Sequence, residues 1–220
     1  MDYAKRRADL VAQLQARGSL RSARVAEVMR SVPREFFVPR YLTLRAYEDS
    51  PVPIGHGQTI SAPHMVAIMT EALELGPGMR VLEVGSGSGY QAAILGRLVE
   101  PGGRIVTVER IPQLAERAKE ALTACGAGNV SVLSGDGSGG RPDFGPFDRI
   151  VVTAAAPRMP PPLLEQLAPG GILVAPVGDR TCALIRVRRT ADGLQEENLG
   201  ACAFVPLKGA FGHGPGLFGT

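Results

Sequence analysis

The chain has 220 residues, of which 45% are hydrophobic, which is enough for one α/β domain with a sizeable core. A formal net charge of +3, scattered basic residues and an aromatic content of 5% do not form the basic, aromatic-rich surface typical of a nucleic-acid-binding protein. No apolar run approaches the ~20 residues that span a bilayer, and the N-terminus lacks the apolar core of a signal peptide. The three cysteines are isolated and lie outside any metal-ligand spacing, which predicts reduced thiols in the cytoplasm and no metal site.

The first forty residues predict two helices and an aromatic stretch. Residues 2–17 carry apolar residues at helical spacing, and a second helix begins after Ser22, a plausible N-cap, and stops before Pro33. In the proline-bounded stretch that follows, we expect Phe36 and Phe37 to be packing anchors rather than ligand contacts.

Residues 46–61 predict a long loop, because Pro, Gly and short polar residues dominate them. A loop of this length is usually functional or disordered, and Ile54 and Ile60 are apolar enough to pin it down, which favours function. Ser61 is then expected to begin a helix that runs through Leu75, with Pro63 in its first turn. The pattern leaves two interpretations of Ser61 open, an N-cap or a catalytic residue.

Residues 81–99 predict a buried strand, a glycine turn and a helix. Gly85, Gly87 and Gly89 carry no Cβ, so the backbone can turn sharply and approach a ligand. The dinucleotide-binding fingerprint G-x-G-x-x-G requires its third glycine at position 90, where this chain has Tyr90, so the turn does not match that fingerprint. The alternative is a tight strand–helix turn without a ligand.

From Met79 onward strands and helices alternate, which predicts an α/β fold with a seven-stranded, mostly parallel sheet and helices on both faces, preceded by the N-terminal helices. The predicted strands are 80–85, 104–109, 129–134, 147–153, 171–177, 181–189 and 199–207, and the predicted helices between them are 89–99, 114–122 and 163–167. The alternation within 181–189 is typical of an edge strand.

Two acidic residues follow predicted strands. Glu109 lies ~20 residues after the glycines, where a carboxylate can accept hydrogen bonds from both hydroxyls of a ribose. Asp136 either accepts a hydrogen bond from an adenine amino group or belongs to an ordinary Asp-Gly turn with Gly137.

Together these segments resemble the protein-L-isoaspartate (D-aspartate) O-methyltransferase family. The E-x-G-x-G-x-G form of the glycine turn is that of S-adenosylmethionine-dependent methyltransferases in general, whereas the G-Q-T-I-S-x-P segment from Gly57 to Pro63 belongs to this one family. His56 is a small departure, because the family often has Gln or Tyr there. The resemblance rests on residues 33–39, 55–65, 81–90, 153–157 and 204–207.

The resemblance implies a Rossmann-like fold and methyl transfer from S-adenosyl-L-methionine to the free carboxylate of L-isoaspartyl residues in damaged proteins or peptides. The methyl ester should then collapse to a succinimide, which initiates repair. By the same resemblance Ser61 is the active-site serine. The expected cofactor-binding residues are Glu83, Gly85, Gly87, Gly89, Glu109, Asp136, Gly137 and His64. The expected substrate-loop residues are Ile54, Gly57, Gln58, Thr59 and Ile60.

We expect one methyltransferase domain over residues 1–220, since neither a repeat nor a linker divides the chain. It comprises a helical part at 1–78 that contains the substrate loop 46–61, a Rossmann-like core at 79–208, and a glycine-rich tail at 209–220 with little regular structure. The expected protein is a cytoplasmic monomer that acts on isoaspartyl polypeptides and binds neither nucleic acid nor membrane.

Two other functions compete. A methyltransferase for a small molecule or RNA would keep the fold, but amino-group methylating enzymes usually carry Asn/Asp-Pro-Pro-aromatic after the fourth strand, where this chain has Thr153-Ala154-Ala155-Ala156-Pro157. A cofactor-binding module without catalysis would not need the full set of acidic residues together with Ser61.

Overall fold

The computed structural model describes residues 2–179 and 181–214. The α-helices are α1 (Tyr3–Ala16), α2 (Ala23–Ser31), α3 (Pro63–Ala72), α4 (Tyr90–Val99), α5 (Pro112–Ala124) and α6 (Pro161–Glu165). The strands are β1 (Val52–Gly55), β2 (Gln58–Ile60), β3 (Arg80–Val84), β4 (Arg104–Glu109), β5 (Val130–Ser134), β6 (Phe147–Val152), β7 (Leu167–Gly178), β8 (Cys182–Thr190) and β9 (Gly193–Cys202). Short 3₁₀ helices span Arg34–Phe37, Arg40–Arg45 and Pro142–Phe144.

The large sheet has seven strands in the order β5-β4-β3-β6-β7-β8-β9. The first five are parallel, and β8 and β9 add to them antiparallel, which confirms the predicted mostly parallel sheet. β3 lies in the middle of the parallel part, so both of its faces are covered. Val81 packs in the hydrophobic cluster on one face, with the N-terminal helices and α4, while Leu82 and Val84 pack in the cluster on the other, with α6.

The N-terminal helices form as their sequence predicts. The Ser22 hydroxyl accepts a hydrogen bond from the N–H of Val25 at 3.3 Å, which confirms it as the N-cap of α2. Phe37 is buried as expected, but the expectation for Phe36 is wrong, because that side chain is 50% exposed. Neighbouring residues of a 3₁₀ turn point in different directions, so one phenylalanine faces the core and the other faces solvent. No helix in the described part of the chain combines the length and apolar character needed to cross a membrane.

The expected long loop at 46–61 is in part a β-hairpin, so that prediction is corrected. β1 and β2 pair antiparallel, and Val52, Ile54 and Ile60 are buried. The two connecting residues, His56 and Gly57, both have positive φ angles, of 54° and 68°. This is the conformation of a type I′ turn, which matches the twist of a hairpin.

The end of the sheet also differs from the sequence-based boundaries. The helix expected at 163–167 lies at Pro161–Glu165, and Leu167 already begins β7. β8 is not an edge strand, because β9 covers its outer side. Its alternation places Arg186 and Arg188 on the same face, where both pair with Glu74. The last strand lies at Gly193–Cys202 rather than 199–207, since an edge strand needs only backbone pairing and tolerates polar residues throughout. Residues 209–214 contain no helix or strand, and the rest of the tail lies outside the described residues.

Candidate functional site

A cavity opens at the carboxyl ends of β3, β4 and β6. β4 and β6 flank β3 on opposite sides, so the strand order reverses here, which is where open α/β sheets bind ligands. The empty volume is about 820 Å³, part of it open to solvent. Its walls are formed by residues 58–61, 84–88, 108–111 and 205–208, together with Val66, Tyr90, Gln91, Gly137, Thr153 and Ala154.

The glycine turn places bare backbone on the cavity wall. Gly85, Gly87 and Gly89 have φ angles of 100°, 52° and 89°, a region that glycine adopts readily. A Cβ on Gly85 would lie 2.4 Å from Oγ1 of Thr153. Gly85 and Gly87 line the cavity, whereas Gly89 lies behind it against Ala118. The first two glycines therefore face the ligand space, and the third permits close packing of α4 on α5.

The N–H groups of the turn are mostly used within the protein. Gly85 and Ser86 both donate to the carbonyl of Val108, at 2.8 and 3.2 Å, and Gly87 donates to the carboxylate of Glu109 at 2.9 Å. A phosphate-binding turn would direct such groups at the ligand. The arrangement thus supports a ligand without a pyrophosphate at this position, as the glycine spacing indicates.

Glu109 is the buried acidic residue of the cavity. Glu109 is the last residue of β4, and its side chain lines the cavity. The carboxylate accepts hydrogen bonds from the N–H groups of Gly87 and Ile111, both at 2.9 Å. A carboxylate offers about four lone-pair sites, so about two remain after these bonds. Those remaining sites can accept the two hydroxyls of a ribose.

Glu83 does not line the cavity. Its carboxyl is fully buried and accepts a hydrogen bond from the Thr107 hydroxyl, which lies 2.6 Å from the hydroxyl of Ser86 on the cavity wall. Burial raises the pKa of Glu83 to about 8; the Thr107 hydrogen bond opposes this rise and the charge of Glu109 adds to it. Glu83 therefore reaches the cavity only through a chain of two hydroxyl groups, and it is largely protonated at neutral pH.

The Asp136-Gly137 pair divides between the cavity and the turn behind it. Gly137 lines the cavity, but the Asp136 carboxylate accepts from the N–H of Ser138 and, in the C-terminal segment, from the N–H of Ala210, both at 2.8 Å. Burial acts to raise the pKa of Asp136, but these backbone donors, together with the Ser138 hydroxyl and the charge of Arg110, hold the pKa below its usual value. The carboxylate thus joins a turn and fastens the segment that follows β9.

Ser61 lies on the cavity wall together with Gln58, Thr59 and Ile60. Of the two interpretations of Ser61, the N-cap is wrong, because Ala62 occupies the N-cap position of α3 and makes no side-chain bond. No hydrogen bond among the described residues uses the Ser61 hydroxyl. That hydroxyl is therefore available to a bound molecule.

Besides Glu83, Gly89 and Asp136, three further predicted site residues lie outside the cavity, namely Ile54, Gly57 and His64. Ile54 is buried behind the glycine turn, 3.6 Å from where a Cβ of Gly87 would be, and Gly57 forms the hairpin turn. Asp49 accepts hydrogen bonds from both the backbone N–H and Nδ1 of His64, each at 2.9 Å. It thereby supplies the cap that α3 lacks at its own N-cap residue, and His64 ties the preceding loop to this helix.

The C-terminal segment 205–208 is a part of the site that sequence reasoning missed. It forms one cavity wall, and the N–H of Leu207 donates to the carbonyl of Ala155 at 2.7 Å. The N–H of Ala155 in turn donates to the carbonyl of Val205 at 2.8 Å, so the segment pairs with the chain that leaves β6. Val205, Pro206 and Leu207 are apolar and a single lysine, Lys208, is not distinctive, so only the place of residues 204–207 in the family motif could have pointed to a site.

The cavity suits a reaction in which the bound molecules supply both reacting groups. Its lining includes neither His nor Cys, and no hydrogen bond among the described residues joins Ser61 to Glu109 or Lys208. The described residues also form no cluster of three or more potential metal ligands. The cavity offers one buried carboxylate, the basic residues Arg110 and Lys208, several hydroxyls and apolar walls, which can position ligands and exclude water.

Comparisons with known proteins converge on one family. The family described as Protein-L-isoaspartate(D-aspartate) O-methyltransferase matches residues 5–211. Protein-L-isoaspartate O-methyltransferases from Methanopyrus kandleri and Hyperthermus butylicus are 56% and 51% identical to this chain, over 96% of it in each case and over 94% and 91% of the relatives. A Plasmodium falciparum protein of the same name, solved with S-adenosyl-L-homocysteine, superposes with a TM-score of 0.83 at 29% identity, covering 92% of this chain and 98% of that one.

Proposed function

We propose a role for each site residue from the premise that this chain belongs to the protein-L-isoaspartate (D-aspartate) O-methyltransferase family and is an S-adenosylmethionine-dependent methyltransferase. The observation that carries the proposal is the buried Glu109 carboxylate on the cavity wall beside the glycine turn. The reaction transfers a methyl group to the free carboxylate of an L-isoaspartyl residue in a damaged polypeptide.

The cavity fits the methyl donor by the chemistry of its groups. Glu109 has free acceptor sites for a ribose, and the bare backbone at Gly85 and Gly87 admits the amino-acid part of the donor without a side chain in the way. Gly137 lies at the same wall, packed so closely on Val84 and Val108 that a Cβ would meet them at 3.0 to 3.1 Å. These residues would hold S-adenosylmethionine, which supplies a sulfonium-activated methyl group when bound.

Glu83 and Asp136 are proposed to support the donor from behind this wall. Glu83 fixes Ser86 through the hydroxyl of Thr107, and Asp136 fixes the turn that presents Gly137. Gly89 sets the start of α4 and His64 sets the start of α3, so both act on the cavity through the backbone.

Ser61 is proposed to hold the acceptor. A carboxylate, with a reference pKa near ~4, is already the nucleophile at neutral pH, so no general base is required. The Ser61 hydroxyl donates a hydrogen bond to one carboxylate oxygen and leaves the other to attack the methyl group. The acceptor would lie against three neighbours of Ser61 on the cavity wall, Gln58, Thr59 and Ile60. The conformation of the hairpin is stabilised by Ile54 and Gly57. Alignment in a dry site can supply up to roughly 7–11 kcal/mol of the barrier.

The geometry also weighs against an amino-group methyltransferase. Thr153, the first residue after β6, donates its hydroxyl to the carbonyls of Val84 and Gly85, at 3.1 and 2.5 Å. It locks the glycine turn instead of presenting an acceptor to an amine. The residues that follow are alanines, so no side-chain amide or carboxylate is available there.

The role of Ser61 is tested by Ser61→Ala. Because its hydroxyl bonds no described residue, the variant should fold normally, lose turnover on an isoaspartyl peptide and keep its affinity for S-adenosylmethionine. Loss of one hydrogen bond to a charged group corresponds to about a 10- to 100-fold fall. Ser31→Ala, an exposed serine that bonds the carbonyl of Val28, is the control. Wild-type turnover of Ser61→Ala would overturn the assignment.

We further propose that the enzyme is a cytoplasmic monomer whose substrates are polypeptides rather than nucleic acid or membrane. Cys182 and Cys202 face each other across β8 and β9 and are both free thiols, which suits a reducing compartment. Light scattering of the purified protein and fractionation of its host cells test the two statements separately.

A further inference from the structure

Arg34 is a fully buried cation beside the site. It begins the 3₁₀ helix Arg34–Phe37, and its residue exposure is 0%. Removing a charge from water costs several kcal/mol even in a relaxed protein, and a carboxylate usually offsets that cost. None of the described carboxylates forms an ion pair with Arg34; its hydrogen bonds go to backbone carbonyls. Because no described carboxylate offsets the cost of burying this cation, stability alone does not explain its position.

The guanidinium makes three contacts with three different segments. Nε donates to the carbonyl of Ala46 at 2.7 Å, and Nη2 donates to the carbonyl of Ser61 at 2.8 Å. Its Cζ lies 4.7 Å from the ring centroid of Tyr90, within the range of a cation–π interaction. Arg34 thus joins the loop before the hairpin, the residue after the hairpin and the first residue of α4.

Two of these three segments line the cavity. Ser61 and Tyr90 both line it, and Tyr90 directly follows the glycine turn. Phe37 from the same 3₁₀ helix also packs on Tyr90, with 5.5 Å between the two ring centroids. The distance between the Ser61 backbone and the glycine turn is therefore set through one side chain.

We propose that Arg34 is a positioning residue for methyl transfer, which holds the Ser61 backbone at a fixed distance from the glycine turn so that the serine hydroxyl meets the acceptor carboxylate. The inference rests on the proposed role of Ser61. Arg34 does not line the cavity. Its effect on the reaction passes through Ser61 and Tyr90.

Only arginine can make this set of contacts. The planar fork of a guanidinium carries donors in fixed directions and presents a face to an aromatic ring, whereas lysine concentrates its charge at one point. Lysine at position 34 would keep the positive charge but could not bridge Ala46 and Ser61 in the same geometry. Arg34→Lys and Arg34→Met therefore separate the effect of geometry from the effect of charge.

Arg149 provides a matched control. It is also buried, and it also donates only to backbone carbonyls, those of Leu73, Glu74 and Asp148. It does not line the cavity. Arg149→Met should lower the melting temperature and leave kcat unchanged, which shows what a buried arginine contributes to stability alone.

The test measures kcat and KM on an isoaspartyl peptide, and the affinity for S-adenosylmethionine by calorimetry, in folded protein at a temperature well below melting. Displacement of a reacting group by about 1 Å can cost about 100-fold in rate, so we expect Arg34→Met to lose about 10- to 100-fold in kcat and Arg34→Lys to lose nearly as much. Donor affinity should change by less than about threefold, because the Glu109 wall is intact. If Arg34→Met does not fold, Arg34→Gln, which retains amide donors, replaces it.

The same variants combined with Ser61→Ala identify the route of the effect. If Arg34 acts through Ser61, its substitution should cost little further turnover once the hydroxyl is absent. Equal loss in both backgrounds, or an unchanged kcat in the single variant, would overturn the positioning role while Ser61→Ala alone still impairs turnover. If Ser61→Ala alone has no effect, the proposed serine role fails first, and the inference about Arg34 fails with it.

Discussion

Gly87 donates its backbone N–H to the carboxylate of Glu109 over 2.9 Å, so the glycine turn after β3 is fastened to the acidic residue that ends β4. The two neighbouring strands thereby present one rigid edge to the cavity. The other carboxylate oxygen is fixed by the N–H of Ile111. The donor-binding wall is thus preorganised by bonds that exist without a ligand, which lowers the entropic cost of binding.

Glu109→Gln should weaken S-adenosylmethionine binding. An amide can still accept on one side but turns a donor toward a backbone N–H, and it loses the charge that strengthens hydrogen bonds from the ribose. The expected loss is about 10- to 100-fold in Kd, measured by calorimetry. Glu71→Gln is the control, since its carboxylate also accepts two backbone N–H groups, from Arg21 and Ser22, but lies away from the cavity. Equal affinity losses in the two variants would contradict the ribose role of Glu109.

Gly85→Ala should be more destabilising than Gly78→Ala. Both glycines have positive φ angles, of 100° and 78°, so both substitutions introduce backbone strain. Only the Cβ at position 85 also meets Oγ1 of Thr153, at 2.4 Å, whereas the Cβ at position 78 has nothing within 4 Å. Overpacking of this kind costs about 1–3 kcal/mol, which denaturant unfolding of the two variants can resolve. Similar free energies of unfolding for the two variants would show that Thr153 yields without cost.

Glu83→Gln should stabilise the ligand-free protein increasingly as the pH rises. Burial raises the pKa of Glu83 to about 8 in the folded state, against an ordinary value of 4.5 when unfolded. Below the lower value both states hold the proton, so wild type and variant should be similar. Between the two values folding must take up a proton, and this cost grows with pH until it levels off above about 8. Glutamine resembles the protonated carboxyl and avoids that cost.

The measurement for Glu83 is the difference in free energy of unfolding between variant and wild type at several pH values from 5 to 9. A constant difference across that range would mean that the carboxyl does not take up a proton on folding. The exposed pair Glu116–Lys119 offers a control substitution, Glu116→Gln, whose effect should not follow this pH dependence.

Asp136→Ala should release the C-terminal segment. Its carboxylate holds the N–H of Ala210, and the Ser138 hydroxyl accepts from the N–H of Phe211. Without the carboxylate, the amide of Ala210 should exchange with solvent faster while amides in β3 remain protected, as hydrogen exchange can measure. Unchanged protection at Ala210 would show that other contacts hold the segment.

The parts of the fold that can be predicted from the sequence are those with a local signal. β3, the glycine turn and Glu109 were predictable because strand patterning, glycine spacing and an acid at a strand end each have a local physical cause. The hairpin was missed, although the two-residue loop His56-Gly57 between apolar alternations was a usable signal. β9 was misplaced because its pairing with β8 is a backbone property that its polar side chains do not record.

The site itself was only partly predictable, for a related reason. The resemblance identified Ser61 and its neighbours, and in the structure residues 58–61 line the same cavity as Glu109 and Gly137. The structure does not bring His64 there, because the backbone N–H and Nδ1 of His64 both bind the Asp49 carboxylate outside the cavity. The burial of Arg34 could not be predicted from its residue type, since arginine usually lies at the surface. The groups that contact Arg34 come from segments distant in the sequence.

The most direct test of the account compares two peptides that differ only in one linkage, L-isoaspartyl or normal aspartyl. Purified protein, S-adenosylmethionine with a labelled methyl group and each peptide are incubated, and label in the peptide is counted. We expect labelling of the isoaspartyl peptide, none above background for the aspartyl peptide, and loss of labelling in the Glu109→Gln variant at limiting donor. Equal labelling of both peptides, or none of either by a protein that binds the donor, would contradict it.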